Sequence, residues 1–283
     1  MNFLPMDELL RDAQRRGYAV PAFCVWNAEV LATLLRVAQE QRSPVIVMAS
    51  KFEFALMSPA QYAGMARGIA GEFSVPAALH LDHGPSLEMV RACIDAGFTS
   101  VMLDFSARPY EENAAALRQA AAWAHPRGVT VEGELGYVGK ADTITVEGEG
   151  DSTLTRPEEA ARYAEETGVD ALAVSIGNAH GAYSRLPSFD FDRLASIRAA
   201  TTIPLVLHGG SGTPDKDLRE AIRLGMCKIN IATELTAAVR KSLHTELSRE
   251  NPRWLPHSLT LAHETIVPVV EKWIQLSGAA GKA

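Results

Sequence analysis

The stretch Leu205-Val206-Leu207-His208-Gly209-Gly210-Ser211-Gly212-Thr213-Pro214-Asp215 decides the fold, together with the amphipathic segment after it, Gly225 and the run Cys227–Ala232. An apolar run of strand length ends in glycines. Thr213-Pro214-Asp215 then puts a proline and an acid into the first turn of a helix. Gly225 supplies the turn that ends that helix, and a second apolar run begins. The stretch is one strand–helix unit with the strand that follows it.

Working outward, the same unit recurs. Short β-branched runs stand at Val20–Val25, Val45–Ser50, Ala77–His83, Ser100–Phe105, Thr130–Gly136 and Ala171–Gly177, which with Leu205–Gly210 and Cys227–Ala232 makes eight. The runs are nearly continuous rather than alternating, as strands of a parallel sheet covered on both faces require. A segment of helical period follows each. Ser58-Pro59, Ser86 and Arg156-Pro157-Glu158-Glu159 mark helix starts, and Gly97, Gly128 and Gly168 mark helix ends. Met6–Gly17 reads as an extra helix before the first strand. Eight such units predict an α/β chain with one (β/α)₈ barrel domain over residues 1–283. A doubly wound sheet competes, but it carries a glycine-rich phosphate turn after its first strand, and none stands near Val25. Tyr137–Thr155, with Gly139, Gly148 and Gly150, is too long for a routine connection and is a candidate lid.

Composition narrows the function. The 283 residues carry 27 basic and 34 acidic side chains, a net charge of −7, with 47% hydrophobic residues. That profile, without a basic patch, excludes nucleic acid as the expected partner. Apolar runs are too short for a bilayer span, and residues 1–10, with Asp7 and Glu8, lack the order of a signal peptide. Three cysteines, Cys24, Cys93 and Cys227, do not make a disulfide framework, so the cytoplasm is the expected compartment.

In a (β/α)₈ barrel, chemistry sits at the strands' C-terminal ends. Those ends hold Asp82-His83, Asp104, Glu132 with Glu134, Asn178–Gly181 with His180, His208–Gly212 and Asn230–Thr233. His83, His180 and His208 can converge over the barrel mouth and leave one coordination position open, the ligand set of a catalytic zinc. Singly, each is equally a hydrogen-bonded polar residue at a strand end; three together, with carboxylates between, favour the metal. His80, three residues earlier, is read as a hydrogen-bonded histidine of the barrel interior, and His125, His244 and His257 as surface residues. The loops after strands seven and eight are this fold's usual phosphate site, which assigns Gly209, Gly210, Ser211, Asn230, Ile231, Ala232 and Thr233 to an anion. Beside such a site Asp82 is either the general acid/base or the carboxylate that orients a metal-bound histidine.

The motifs His80-Leu81-Asp82-His83-Gly84, Val131–Gly136, Ala173–Tyr183, Leu207–Gly212 and Lys228–Leu235 resemble the class II, zinc-dependent fructose- and tagatose-bisphosphate aldolases. The resemblance runs from about Tyr18 to the C-terminal Gly-Lys-Ala. It implies Zn²⁺ on His83, His180 and His208, and Asp82 exchanging the proton of the C4 hydroxyl. It also implies a dihydroxyacetone phosphate half on Gly181, Gly209–Ser211 and Asn230–Thr233, with Na⁺ or K⁺ near the phosphate. Asp104 and Glu134 match positions that take a second metal, and Ser50 matches a substrate contact. A proton-transferring lid acid is implied too, at Asp142 or Glu147, and a homodimer or homotetramer.

The chain departs from the family pattern at Cys24, where asparagine is common, and at bulky Trp26. It departs again at Gly139-Lys140-Ala141-Asp142 in the lid and at Leu261-Ala262-His263, where Pro-Ala-Arg is common. Losing a guanidinium there weakens a grip on a distal phosphate, so the aldehyde half is expected to be unphosphorylated or unusual. A Schiff-base aldolase would need a lysine in the barrel. Lys228, the only lysine in a strand run, lies near the start of strand eight, away from the site. The expected activity is reversible cleavage of a ketose 1-phosphate or 1,6-bisphosphate to dihydroxyacetone phosphate and an aldehyde. A phosphosugar isomerase or epimerase on the same groups and a non-catalytic phosphosugar-binding relative are the rivals.

Overall fold

The structure, a computed structural model, describes residues 3–55, 57–139, 154–181 and 186–283. Eight parallel strands close into a barrel in sequence order: β1 (Val20–Cys24), β2 (Val45–Ala49), β3 (Ala77–Gly84), β4 (Ser100–Leu103), β5 (Thr130–Leu135), β6 (Ala171–Val174), β7 (Leu205–Leu207) and β8 (Met226–Ile231), with β8 pairing back onto β1. The connecting helices are α2 (Ala28–Glu40), α3 (Pro59–Ala70), α4 (Leu87–Ala96), α5 (Tyr110–Ala124), α6 (Pro157–Thr167), α7 (Phe191–Ala200), α8 (Asp215–Arg223) and α9 (Thr233–Leu247). The (β/α)₈ expectation is met. Strands six and seven stop three residues earlier than their apolar runs, because the chain turns through glycine (Gly177, Gly209) instead of continuing the ladder.

The local signals act as their chemistry requires. Ser58 accepts from Gln61 N–H while Gln61 reaches back to Ser58 N–H, a full capping box, and Ser86 caps α4. Gly97, Gly128 and Gly168 each take a left-handed conformation where a helical turn ends.

Two apolar layers result. One lies between the sheet and the surrounding helices and includes Phe23, Val47, Leu79, Leu172, Leu207 and Ile229. The other fills the lower barrel, where Val20, Ile46, Met48, Ala78, Ala171 and Val206 meet Met6, Leu9, Leu10 and Ala13 of α1 (Met6–Arg16). Met6–Gly17 was expected as a helix, and its position gives it a purpose: it plugs the N-terminal end, with Asp7 N–H donating to Thr130 Oγ1. The C-terminal segment adds α10 (Leu255–Glu264) and α11 (Val267–Leu276), which pack on α9 and α2. A simple count of eight units did not include these two. No helix among the described residues is long and apolar enough to cross a membrane.

Candidate metal centre and active site

Strand periodicity builds the barrel interior in layers, because residues two apart point the same way. On β3 the pair is His80 and Asp82, on β5 Glu132 and Glu134, and on β8 Lys228 and Asn230. The lower member of each pair makes a closed network. Lys228 Nζ donates to Glu132 Oε2 at 2.8 Å and to His80 Nε2 at 3.4 Å, and His80 Nδ1 meets Ser100 Oγ at 2.8 Å. All four side chains are fully buried. Burial and the neighbouring ammonium of Lys228 hold His80 well below its ordinary pKa, so it is neutral. His80 is thus the interior histidine that was expected. Lys228 is placed differently from the expectation. It sits inside β8, one layer beneath the mouth, paired with Glu132 rather than at the strand's far end.

The upper layer opens at the mouth. Asp82 and His83 are adjacent, yet both face the site, which a regular strand forbids. A register shift between Leu81 and Gly84 and a left-handed His83 (φ 47°) allow it. His83 Nδ1 lies 2.7 Å from Asp104 Oδ2, and its Nε2 lies 3.2 Å from His180 Nε2. His180 Nδ1 meets Val138 O at 3.1 Å, and His180 N–H donates to Gly139 O. His208 bridges the layers: Nε2 donates to Glu132 Oε1 at 2.8 Å, and Nδ1 lies 3.3 Å from Glu134 Oε2. Each imidazole therefore has one nitrogen oriented by a carboxylate or carbonyl. The other nitrogen faces the centre, an arrangement seen in protein metal sites.

The side chains fit a cation. His83, His180 and His208 offer ligand atoms within 4.8 Å of one another, as do His83, Asp104 and Glu134. His208 Nδ1 and Glu134 Oε2 are buried without a hydrogen-bond partner. Two acceptor atoms facing each other at 3.3 Å in a buried site call for a proton or a cation between them. The electrostatics agree. Burial penalises the charged form of Glu134 and, with Asp104 nearby, raises it to about 8. Burial opposes a charge on His83, yet Asp82 and Asp104 override it and raise the imidazole to about 10. Burial and the neighbouring His83 lower His180 and His208. The donor set of three imidazoles with carboxylates alongside suits zinc.

Around this centre Asn230 Nδ2 donates to Asp82 Oδ1 at 2.9 Å, so the asparagine also orients the acid/base candidate. The glycine-rich turn is tight enough to need its glycines. A Cβ on Gly209, which has φ 70°, would meet Ala179 O at 2.0 Å, and one on Gly210 would meet Ile229 Cγ2 at 2.6 Å. Several polar groups of this turn already have internal partners. Gly210 N–H donates to Asn230 O, Gly212 N–H to Glu234 Oε1, and Ser211 Oγ accepts from Glu234 N–H at the start of α9. The turn and the N-terminus of α9, with Ile231, Ala232 and Thr233, still form one rim, and Gly181 faces open space.

Further round the mouth, at the end of β2, Ser50 is hydrogen-bonded to Glu53. Its N–H and hydroxyl both donate to Glu53 Oε2, at 2.7 and 2.8 Å. Glu53 Oε1 lies 3.5 Å from Cys24 Sγ. The sequence reading missed Glu53, although Ser50-Lys51-Phe52-Glu53 has the spacing of a capping box. His263 is buried, is held below its ordinary pKa by burial, and places Nε2 3.3 Å from Asn27 Nδ2. The lid candidates Asp142 and Glu147 lie outside the described residues.

A closed parallel barrel with three imidazoles and carboxylates at its C-terminal mouth is a framework able to support metal-assisted lyase or isomerase chemistry. Residues 4–282 match the family described as fructose-bisphosphate aldolase class-II, and the chain belongs to that family. It is similar to the YdjI aldolase of Escherichia coli K12, with 35% identity, TM-score 0.88 and 99% of each chain covered. The fructose-bisphosphate aldolase (Fba) of Campylobacter jejuni shares the fold, with TM-score 0.83 over 100% of this chain and 97% of that one, at 24% identity. Family and neighbours together support an aldolase.

Proposed function

We propose that this protein is a metal-dependent aldolase that reversibly cleaves a ketose 1-phosphate or ketose 1,6-bisphosphate to dihydroxyacetone phosphate and an aldehyde. The observation that carries this is the meeting of His83 Nε2, His180 Nε2 and His208 Nδ1 beside Asp82. In this reading the three histidines hold Zn²⁺, with Asp104 and Glu134 available to a second ion. The metal supplies Lewis-acid stabilisation of the negative charge that carbon–carbon cleavage leaves on the ketone fragment. Asp82, oriented by Asn230, accepts the C4 hydroxyl proton while the C3–C4 bond breaks and C4 becomes the aldehyde carbon. The electron pair passes toward the C2 oxygen, and C3 then takes a proton from a lid acid, Asp142 or Glu147. Gly181, Gly209–Ser211 and the start of α9 hold the phosphate through backbone N–H groups and hydroxyls, with Na⁺ or K⁺ beside it. Free Cys24, Cys93 and Cys227 accord with a reducing cytoplasm, and family membership with a homodimer or homotetramer.

The test is product analysis on purified protein. Two fragments are expected from one ketose phosphate, with activity abolished by a chelator and restored by zinc or cobalt. A single isomeric product would assign an isomerase, and borohydride trapping of substrate on a lysine would refute the metal mechanism.

A further inference from the structure

The rim formed by β1, β2 and β3 continues around the mouth from β8, which pairs with β1. It carries carboxylates: Asp82 at the end of β3, and Glu53 in the single 3-10 turn Glu53–Ala55 after β2. Glu53 is half-buried and fixed, because both donors of Ser50 hold its Oε2. Its other oxygen turns toward Cys24 on β1, whose thiol is raised by burial and by the charges of both Glu53 and Asp82. Cys24 is thus in direct contact with the Glu53 carboxylate. Among the described residues, no lysine, arginine or histidine lies within ion-pair distance of either one. The nearby cationic candidates have other partners: Lys51 lies over the Phe52 ring at 5.3 Å, Lys228 is paired with Glu132 a layer below, and His83, next to Asp82 in the chain, is paired with Asp104 at 2.7 Å. His263, behind the β1 end, is neutral and bonded to Asn27.

We propose that Glu53 is a specificity-determining residue: its carboxylate makes the aldehyde end of the site reject a second phosphate. The substrate class is then a ketose 1-phosphate whose aldehyde half carries hydroxyl groups and no phosphate. This rests on the aldolase reading above, with the phosphate of the ketone half on the turn after β7. A phosphate carries nearly two negative charges and would be brought beside a fixed carboxylate that has no ion-pair partner among the described residues, whereas a sugar hydroxyl can donate to a carboxylate oxygen. Discrimination of this kind works by building a repulsion against the wrong ligand.

Glu53 also closes half of a capping box, so a purely local role must be separable from the electrostatic one. Glutamine serves that box as well as glutamate does, so Glu53→Gln keeps the cap and removes only the charge. The experiment compares fructose 1-phosphate with fructose 1,6-bisphosphate on the zinc-loaded wild type and Glu53→Gln, by kcat/KM and by calorimetric binding. The wild type is expected to favour the monophosphate. In Glu53→Gln the bisphosphate-to-monophosphate ratio is expected to rise about tenfold or more. An unchanged ratio in a variant that melts like wild type, or a wild type that favours the bisphosphate, overturns the proposal. Absence of cleavage of both sugars would count against the aldolase reading, and the binding ratio would still decide the role of Glu53.

Discussion

The barrel interior holds two polar layers built from the same strands, and they differ in one respect. In the lower layer, Lys228, Glu132, His80 and Ser100 satisfy one another inside a sealed core. In the upper layer, two residues further along β5 and just past β7, Glu134 Oε2 and His208 Nδ1 have no partner. Buried polar groups left in this state cost free energy unless a ligand completes them. The lower layer is therefore complete without a ligand and the upper one is complete only with one. His208 belongs to both, through Glu132 on one nitrogen and the centre on the other.

The largest expected effect lies in the upper layer. Asp82→Ala removes the group proposed to take the C4 proton, and turnover is expected to fall about 10²–10⁴-fold. Zinc content and melting temperature are expected to stay close to wild type, since Asp82 is held only by Asn230 among the hydrogen bonds described. Stopped assays with metal analysis check this. Near-normal turnover would move the acid/base role to another residue.

The lower layer should respond in the opposite sense. Lys228→Met leaves Glu132 charged in a fully buried site without its ion-pair partner, and breaking such a pair costs about 3–5 kcal/mol. Urea unfolding of the metal-free protein measures it. A loss below about 1 kcal/mol would mean that the lower layer is not the sealed, self-sufficient network described above.

These two layers also mark what the sequence could and could not disclose. Eight apolar runs with their glycine and proline punctuation suffice for the barrel, because continuous apolar strands make sense only when both faces are covered. The three strand-end histidines were legible for the same reason. Its position three residues before the strand end even separates His80 from His83. Place along a strand cannot say that Lys228 and His80, 148 positions apart, meet across the closed barrel, since that depends on strand order and stagger. Nor does alternation foresee His83, which faces the site only through a left-handed backbone and a register shift. Glu53 was hidden differently: its spacing reads as an ordinary cap, and only the folded rim brings it beside Cys24.

The smallest effect separates orientation from stability within the shared histidine. Glu132→Gln alone would disturb both, because it weakens the acceptor of His208 Nε2–H and also strands Lys228. In the double variant Lys228→Met/Glu132→Gln the lower layer is uncharged, so most of the stability lost in Lys228→Met is expected to return. Metal affinity is not expected to return with it. A neutral amide is a poorer acceptor for the imidazole and can turn its NH₂ toward it, so the nitrogen facing the metal is less firmly set. Losing such an orienting partner typically weakens metal binding about 10–100-fold. Competition with a chelator of known zinc affinity reads this directly, without any turnover assay. If the double variant regains stability and binds zinc like wild type, the two layers are independent and His208 takes its orientation from the barrel walls alone.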